Sequence, residues 1–132
     1  MTVLIVGAAL VAGALGAVLR YGITRAFRAS PARLPWAVLL ANILGCSIAG
    51  VVVALSYFEP HGALRLIALG GFAGGLTTFS TFGVETVQLA IEGRWRTVVG
   101  SMLGNVLGGL AAFAVAWYLT AIPVVFGEVL LP

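Results

Sequence analysis

The sequence predicts an all-α membrane protein with four transmembrane helices, the third of them broken near its middle. Composition is the first reason: of 132 residues, 61% are hydrophobic and 8% charged, and the mean hydropathy is +1.15. The second is segmentation. A spanning helix needs about 20 mostly apolar residues, and four segments qualify: residues 3–19, 36–57, 63–91 and 97–122. The third is the run GGFAGGLTTFSTF at 70–82, which lies inside the third segment. Its glycines lower helix propensity, and Thr77, Thr78, Ser80 and Thr81 alternate with Phe79 and Phe82. Backbone without helical hydrogen bonds is tolerated at membrane depth only where protein buries it or it lines a wet cavity. Residues 1–132 thus read as one integral membrane domain, with the lipid bilayer as its surroundings.

The first span is preceded by Met1-Thr2 with no positive side chain, and its arginines follow the apolar run, so it reads as a retained helix and not a cleaved signal. Ala8, Ala12 and Gly16, with Gly13, give it a row of small residues that lets backbones approach closely in lipid. Residues 28–35 contain Pro31 and Pro35 and read as a turn; Trp36 then opens the second span at interfacial depth.

Asn42 lies about a third of the way along the second span, followed by Gly45, Cys46, Ser47 and Gly50. At that depth its amide needs a partner: either an interhelical hydrogen bond, worth about 0.6 kcal/mol on average, or a place in a pore. The lone Cys46 excludes an internal disulfide and reads as a small packing residue. His61, in the turn at 57–62, reads as a solvated turn residue with no metal-binding company.

The third segment is longer than one straight crossing requires. A break resolves this, with one half-helix to about Gly74, a non-helical stretch through Thr77-Thr78, and a second half-helix beyond. Discontinuous helices place free N–H and C=O groups near the midplane, where they bind ions. Carbonyls suit a hard cation; N–H groups and hydroxyls suit an anion. Glu85 lies further along, either at a vestibule or in a structural pair. In the fourth span Ser101 and Asn105 share a face, continued by Gly108 and Gly109, and Trp117 and Tyr118 mark the far end.

All seven cationic residues are arginines. Arg20, Arg25, Arg28, Arg33, Arg94 and Arg96 fall on one side of the membrane, and only Arg65 on the other, with Glu59 and Glu128. By the positive-inside rule the first and third loops are cytoplasmic and both termini face out. Nucleic-acid binding has no support in such scattered loop charges. Neither has catalysis: there is no carboxylate pair, no Ser/His/Asp set and no metal-ligand spacing. Instead, hydroxyls, amides and phenylalanines gather inside the membrane. A phenylalanine ring has an electropositive edge, so Phe79 and Phe82 either stabilise a small anion or simply pack between helices.

The run Gly-Phe-Ala-Gly-Gly-Leu-Thr-Thr-Phe-Ser-Thr-Phe at 71–82 resembles the signature of the CrcB/Fluc fluoride channels. The resemblance extends over the chain through Gly13-x-x-Gly16-Ala17-x-x-Arg20-Tyr21 and Asn42-x-x-Gly45. It implies a fluoride-selective channel in the cell membrane that exports fluoride passively, built as an antiparallel dimer. It implies that Phe79 and Phe82 line the fluoride path with Asn42, that Ser80 and Thr81 form the hydroxyl track, and that Arg20 and Glu85 lie near the vestibule. Asn105, on the polar face of the fourth span, joins the expected pore set. Gly74 and Thr77 match positions whose carbonyls hold a structural sodium ion at the dimer interface. Two features depart from the pattern. Val38 stands where the family commonly has threonine, and the six-to-one arginine bias predicts a single orientation. The second subunit is therefore expected to be either a copy of this chain or an oppositely oriented homologue. The competing readings are a small four-span proton-coupled exporter, for which the first span lacks a carboxylate, and a non-conducting accessory subunit, for which the broken span has no evident purpose.

Overall fold

A computed structural model describes residues 2–27, 35–58 and 62–130. The described residues form helices and turns, with no strand. Four helical spans are long and apolar enough to cross a membrane, as expected. They are α1 (Thr2–Phe27), α2 (Trp36–Phe58), a composite third span (Gly62–Ile91) and α6 (Trp95–Leu130). The linker with Arg28 and Arg33 and the outer turn with Glu59 and His61 lie outside the described residues, as does the side chain of Glu128.

The third span begins with one turn of α3 (Gly62–Arg65) and continues as a π-helix over Leu66–Ala73. It then tightens to α4 (Gly74–Leu76) and resumes as α5 (Phe79–Ile91). Between these, Thr77 (φ −75°, ψ 156°) and Thr78 (φ −148°, ψ 118°) are extended. The break is therefore shorter than the sequence suggests: Gly74 is still helical, and only two residues leave the helix. A π-helix of this length is uncommon and is associated with functional sites. Composition gave no sign of it.

Other boundaries also move. α1 runs past the expected end at Leu19 to Phe27, so Arg20 and Arg25 are helical. α6 continues through Pro123, although proline removes one intrahelical donor. Between α5 and α6, Gly93 takes φ 73°, the left-handed conformation open to glycine. The Arg94 N–H donates to the Leu89 carbonyl (2.9 Å) and the Gly93 N–H to that of Ala90 (3.0 Å), the paired pattern of a glycine-terminated helix.

Two packing pairs organise the spans: α1 lies along the π-helix and α4, and α2 lies along α6. Both depend on missing side chains. A Cβ on Gly16 would meet the Phe72 carbonyl oxygen and approach the Leu76 nitrogen at 2.8 Å; one on Gly75 would meet the Gly13 carbonyl. The small-residue row on α1 packs through Ala12, Gly13 and Gly16, and only its first member differs: Ala9 and not Ala8 faces Gly71, and Ala8 is exposed. In the second pair, Gly50 of α2 sits against the Phe113 carbonyl, while Gly104, Gly108 and Gly109 of α6 sit against Leu39, Ile43 and Cys46. Val38, Ala41, Val52 and Ala54 are buried along α2.

Substitution of Gly16 by valine is expected to destabilise the protein by about 1–3 kcal/mol or more, because the obstacles are backbone atoms that cannot step aside. Gly22, whose Cβ position is open to 4 Å, is the control: Gly22→Ala should leave the unfolding midpoint in detergent unchanged or slightly raised.

Candidate functional site

Every feature of the site follows from the two extended residues of the third span. Leaving the helix frees carbonyls at the end of α4 and N–H groups at the start of α5, at a depth where water is scarce. The two sets find partners of opposite character.

On the carbonyl side, Arg20 of α1 donates from Nη1 to the Thr77 carbonyl at 3.1 Å. A cation at a helix C-terminus also meets the negative end of the helix dipole. Arg20 is thus engaged at the break, one turn beyond Gly16, and does not flank a loop. The Thr77 hydroxyl donates back to the Ala73 carbonyl (3.0 Å), and its methyl group fills the space left by Gly45 of α2.

On the N–H side, Thr78 caps α5. Its N–H donates to Asn42 Oδ1 (3.0 Å), and its hydroxyl oxygen accepts from the Thr81 N–H (3.2 Å). The Thr78 hydroxyl donates to Thr81 Oγ1 (2.9 Å) and lies 3.3 Å from Ser80 Oγ. Thr78 is buried and connects the site, yet it was only one of four hydroxyls in the sequence reading. The usable signal was a threonine three residues before another hydroxyl at a helix start, since threonine is favoured as an N-cap. α5 has no acidic residue in its first turn, so the positive end of its dipole is not compensated from within the helix.

Asn42 joins the second and fourth spans to this cap. Its Nδ2 donates to Asn105 Oδ1 at 2.8 Å, and Asn105 Nδ2 donates to the Ser101 carbonyl at 2.9 Å. The structure therefore brings Asn42, Asn105, Ser80 and Thr81 together around Thr78. Of the alternatives open for Asn42 in the sequence, the interhelical hydrogen bond is present, and the same amide also accepts from the Thr78 N–H. Val38, one turn before Asn42, is buried and its side chain offers no polar atom.

The two phenylalanines separate in environment. Phe79 is 85% exposed on the single chain, whereas Phe82 is half-buried; their ring centroids lie 6.0 Å apart at 48°. Simple packing between helices of one chain does not account for Phe79. Glu85 lies farther along α5, half-buried, and its Oε2 has no protein partner; the same holds for Ser101 Oγ. Among the described residues no ion pair joins Glu85 to Arg20, which bonds the Thr77 carbonyl. Glu92 instead pairs with Arg94 at 3.3 Å. Among the described residues no three His, Cys, Asp or Glu side chains gather as a metal site.

Comparison with known proteins shows the family. Residues 7–117 match the family described as CrcB-like protein, Camphor Resistance (CrcB). The "Fluoride-specific ion channel FluC 1" of Yersinia pseudotuberculosis is 36% identical over 116 residues, covering 85% of this chain and 90% of that relative. The protein of the same name from Thermobifida fusca is 38% identical over 115 residues, covering 83% and 93%. The "Fluoride-specific ion channel FluC" of Chloroflexus aurantiacus is 40% identical over 105 residues, covering 75% and 81%. The chain, a multi-pass protein of the cell membrane and not an enzyme, belongs to the CrcB-like protein family.

Proposed function

We propose that this chain conducts fluoride passively through the membrane and so lowers cytoplasmic fluoride, working as one subunit of an antiparallel dimer. The observation that carries the reading is the collection of neutral donors at the start of α5. The hydroxyls of Ser80 and Thr81 and the amides of Asn42 and Asn105 meet there beside Phe79 and Phe82. The relatives quoted above bear the name of fluoride-specific channels, and the donor set suits a small, hard anion. Fluoride sheds its water only where several short donors replace it. Hydroxyl and amide groups with aromatic edges do so without a fixed cation that would hold the ion too long for conduction. The Arg20 charge is engaged by the Thr77 carbonyl, which leaves the track to dipoles. Glu85 stands at the cytoplasmic approach to this track.

Exposure supports a partner. With Phe79 85% exposed, one chain supplies one wall, and a second subunit supplies the polar wall opposite. The proposed structural sodium ion belongs at the same interface. In an unbroken helix the Thr78 N–H would serve the Gly74 carbonyl; here it serves Asn42, so the Gly74 oxygen loses its helical donor. The Thr77 oxygen has two lone pairs and keeps one beside Arg20. Carbonyl oxygen is the donor type that unwound helices offer to sodium. One chain's pair is too few for a shell, and the pair of a second subunit makes the set adequate. Bound there, sodium would hold the two breaks together and take no part in moving the anion.

Efflux from liposomes loaded with fluoride or chloride tests conduction. Fluoride efflux with little chloride efflux is the expected result. No fluoride efflux, from this chain alone or beside a paired homologue, ends the channel reading; proton-driven export or no transport would point to the competing functions. Phe79→Ile and Phe82→Ile are each expected to lower fluoride efflux about tenfold or more with dimer assembly intact by size-exclusion chromatography. Loss of assembly instead would mark the rings as packing residues.

The charge bias bears on the identity of the partner. With Arg20 drawn to the break, five arginines still oppose one across the membrane. A single orientation and an oppositely inserted homologue are therefore expected. A tag on the C-terminus should be accessible from one side only in cells expressing this chain alone. Labelling from both sides would instead mean a homodimer that inserts both ways.

A further inference from the structure

The chain has two asparagines, Asn42 and Asn105, and they bond to each other across α2 and α6. The polarity of this contact is determined at both ends. A backbone N–H can only donate, so Asn42 must turn Oδ1 toward Thr78 (3.0 Å). That leaves its Nδ2, a donor, facing Asn105, which must answer with Oδ1 (2.8 Å). The Asn105 Nδ2 then donates to the Ser101 carbonyl (2.9 Å), which can only accept. Carboxamide oxygen and nitrogen are nearly equal in shape, so reversing either amide costs little sterically. It would, however, set donor against donor at one end of the chain and acceptor against acceptor at the other. Each amide nitrogen carries two protons and uses one in this relay. One N–H on Asn42 and one on Asn105 remain to meet a ligand.

We propose that Asn105 is a positioning residue for Asn42. Its Oδ1 holds the Asn42 carboxamide in the one orientation that both caps Thr78 and offers the second Nδ2 proton to an anion. No neighbouring side chain one turn earlier substitutes for Asn105: Val38 is buried and its side chain carries no acceptor. Without Asn105 only the Thr78 N–H still orients the Asn42 amide, so its Nδ2 end is held less firmly and the donor offered to the track becomes part-time. The effect on the passing ion rests on the fluoride-channel reading; the orientation of the amide does not.

Because the chain has two asparagines, [15N]asparagine labelling gives two side-chain amide groups, a direct readout of the relay in the whole protein in lipid. In the wild type each amide should show one strongly and one weakly hydrogen-bonded proton. Asn105→Leu removes one group and should shift and broaden the Asn42 pair. It should also lower fluoride efflux about tenfold in a protein that still folds and assembles, with the unfolding midpoint lowered by the part-buried donor left without its partner. Should the leucine variant not fold, Asn105→Ser serves. Its hydroxyl can still bond the Ser101 carbonyl within its own helix but is too short to hold Asn42, so the same changes are expected. Unchanged Asn42 signals in the folded variant overturn the lock whatever the efflux shows. Shifted signals with undiminished efflux overturn the link from orientation to passage. Absence of fluoride efflux in the wild type would instead remove the channel reading and leave the spectral test of the lock intact.

Discussion

The hydrogen bond from the Thr78 N–H to Asn42 Oδ1 is the constraint around which the rest of the chain is arranged. A helix interrupted inside a membrane frees polar groups that lipid cannot satisfy, at several kcal/mol for each group left alone. The interruption survives because other spans deliver partners to both of its ends. α2 brings Asn42 to the N–H side, and α1 brings Arg20 to the carbonyl side. The two partners differ in charge as the two helix ends differ in dipole. The break therefore has a positive side chain where α4 ends and neutral donors where α5 begins.

Close packing makes those deliveries accurate. Gly13 and Gly16 let α1 approach the π-helix and α4 until backbone meets backbone. Arg20 lies one turn beyond Gly16 on the same helix, which places its guanidinium at the Thr77 carbonyl. Gly45 does the same for α2, admitting the Thr77 methyl one turn after Asn42. The glycines that lower helix propensity in the sequence thus have a positive role: they set the distance at which the polar partners reach the break.

Much of this was legible in the sequence, and the parts that were not have physical reasons. Four spans follow from hydropathy alone, and the break follows from glycines and hydroxyls in the third. Helix ends were misplaced wherever charge was taken to mean loop. Arg20 and Arg25 seem to end the first span, but a guanidinium that has a carbonyl to bond can remain in the helix. The fourth span, expected over 97–122, also runs on, and α6 passes through Pro123. The π-helix at Leu66–Ala73 is invisible to composition, because the same apolar residues serve an i→i+4 or an i→i+5 ladder. At the site, Asn42, Asn105, Ser80 and Thr81 are linked through Thr78 and Asn42 by hydrogen bonds and short contacts. The role of Thr78 depends on where the helix restarts, and that is known only once the break has been located to the residue.

The division of charge at the break bears directly on how an anion could pass without being trapped. A guanidinium exposed to the track would bind a small anion strongly and release it slowly. With Arg20 bonded to the Thr77 carbonyl, its charge is balanced in part by the negative end of the half-helix that it caps. On the channel reading, what would face the track is softer: two hydroxyls, the spare protons of two amides, the electropositive edges of two rings and the start of α5, which has no acidic residue in its first turn. Each attracts an anion weakly, and their attraction is directional. An ion can then be handed from one donor to the next, provided that the second wall stands close enough to keep water out. That proviso falls on Phe79, the large apolar residue that this chain leaves almost wholly uncovered at the break. On the dimer reading, covering Phe79 and closing the path are the same event.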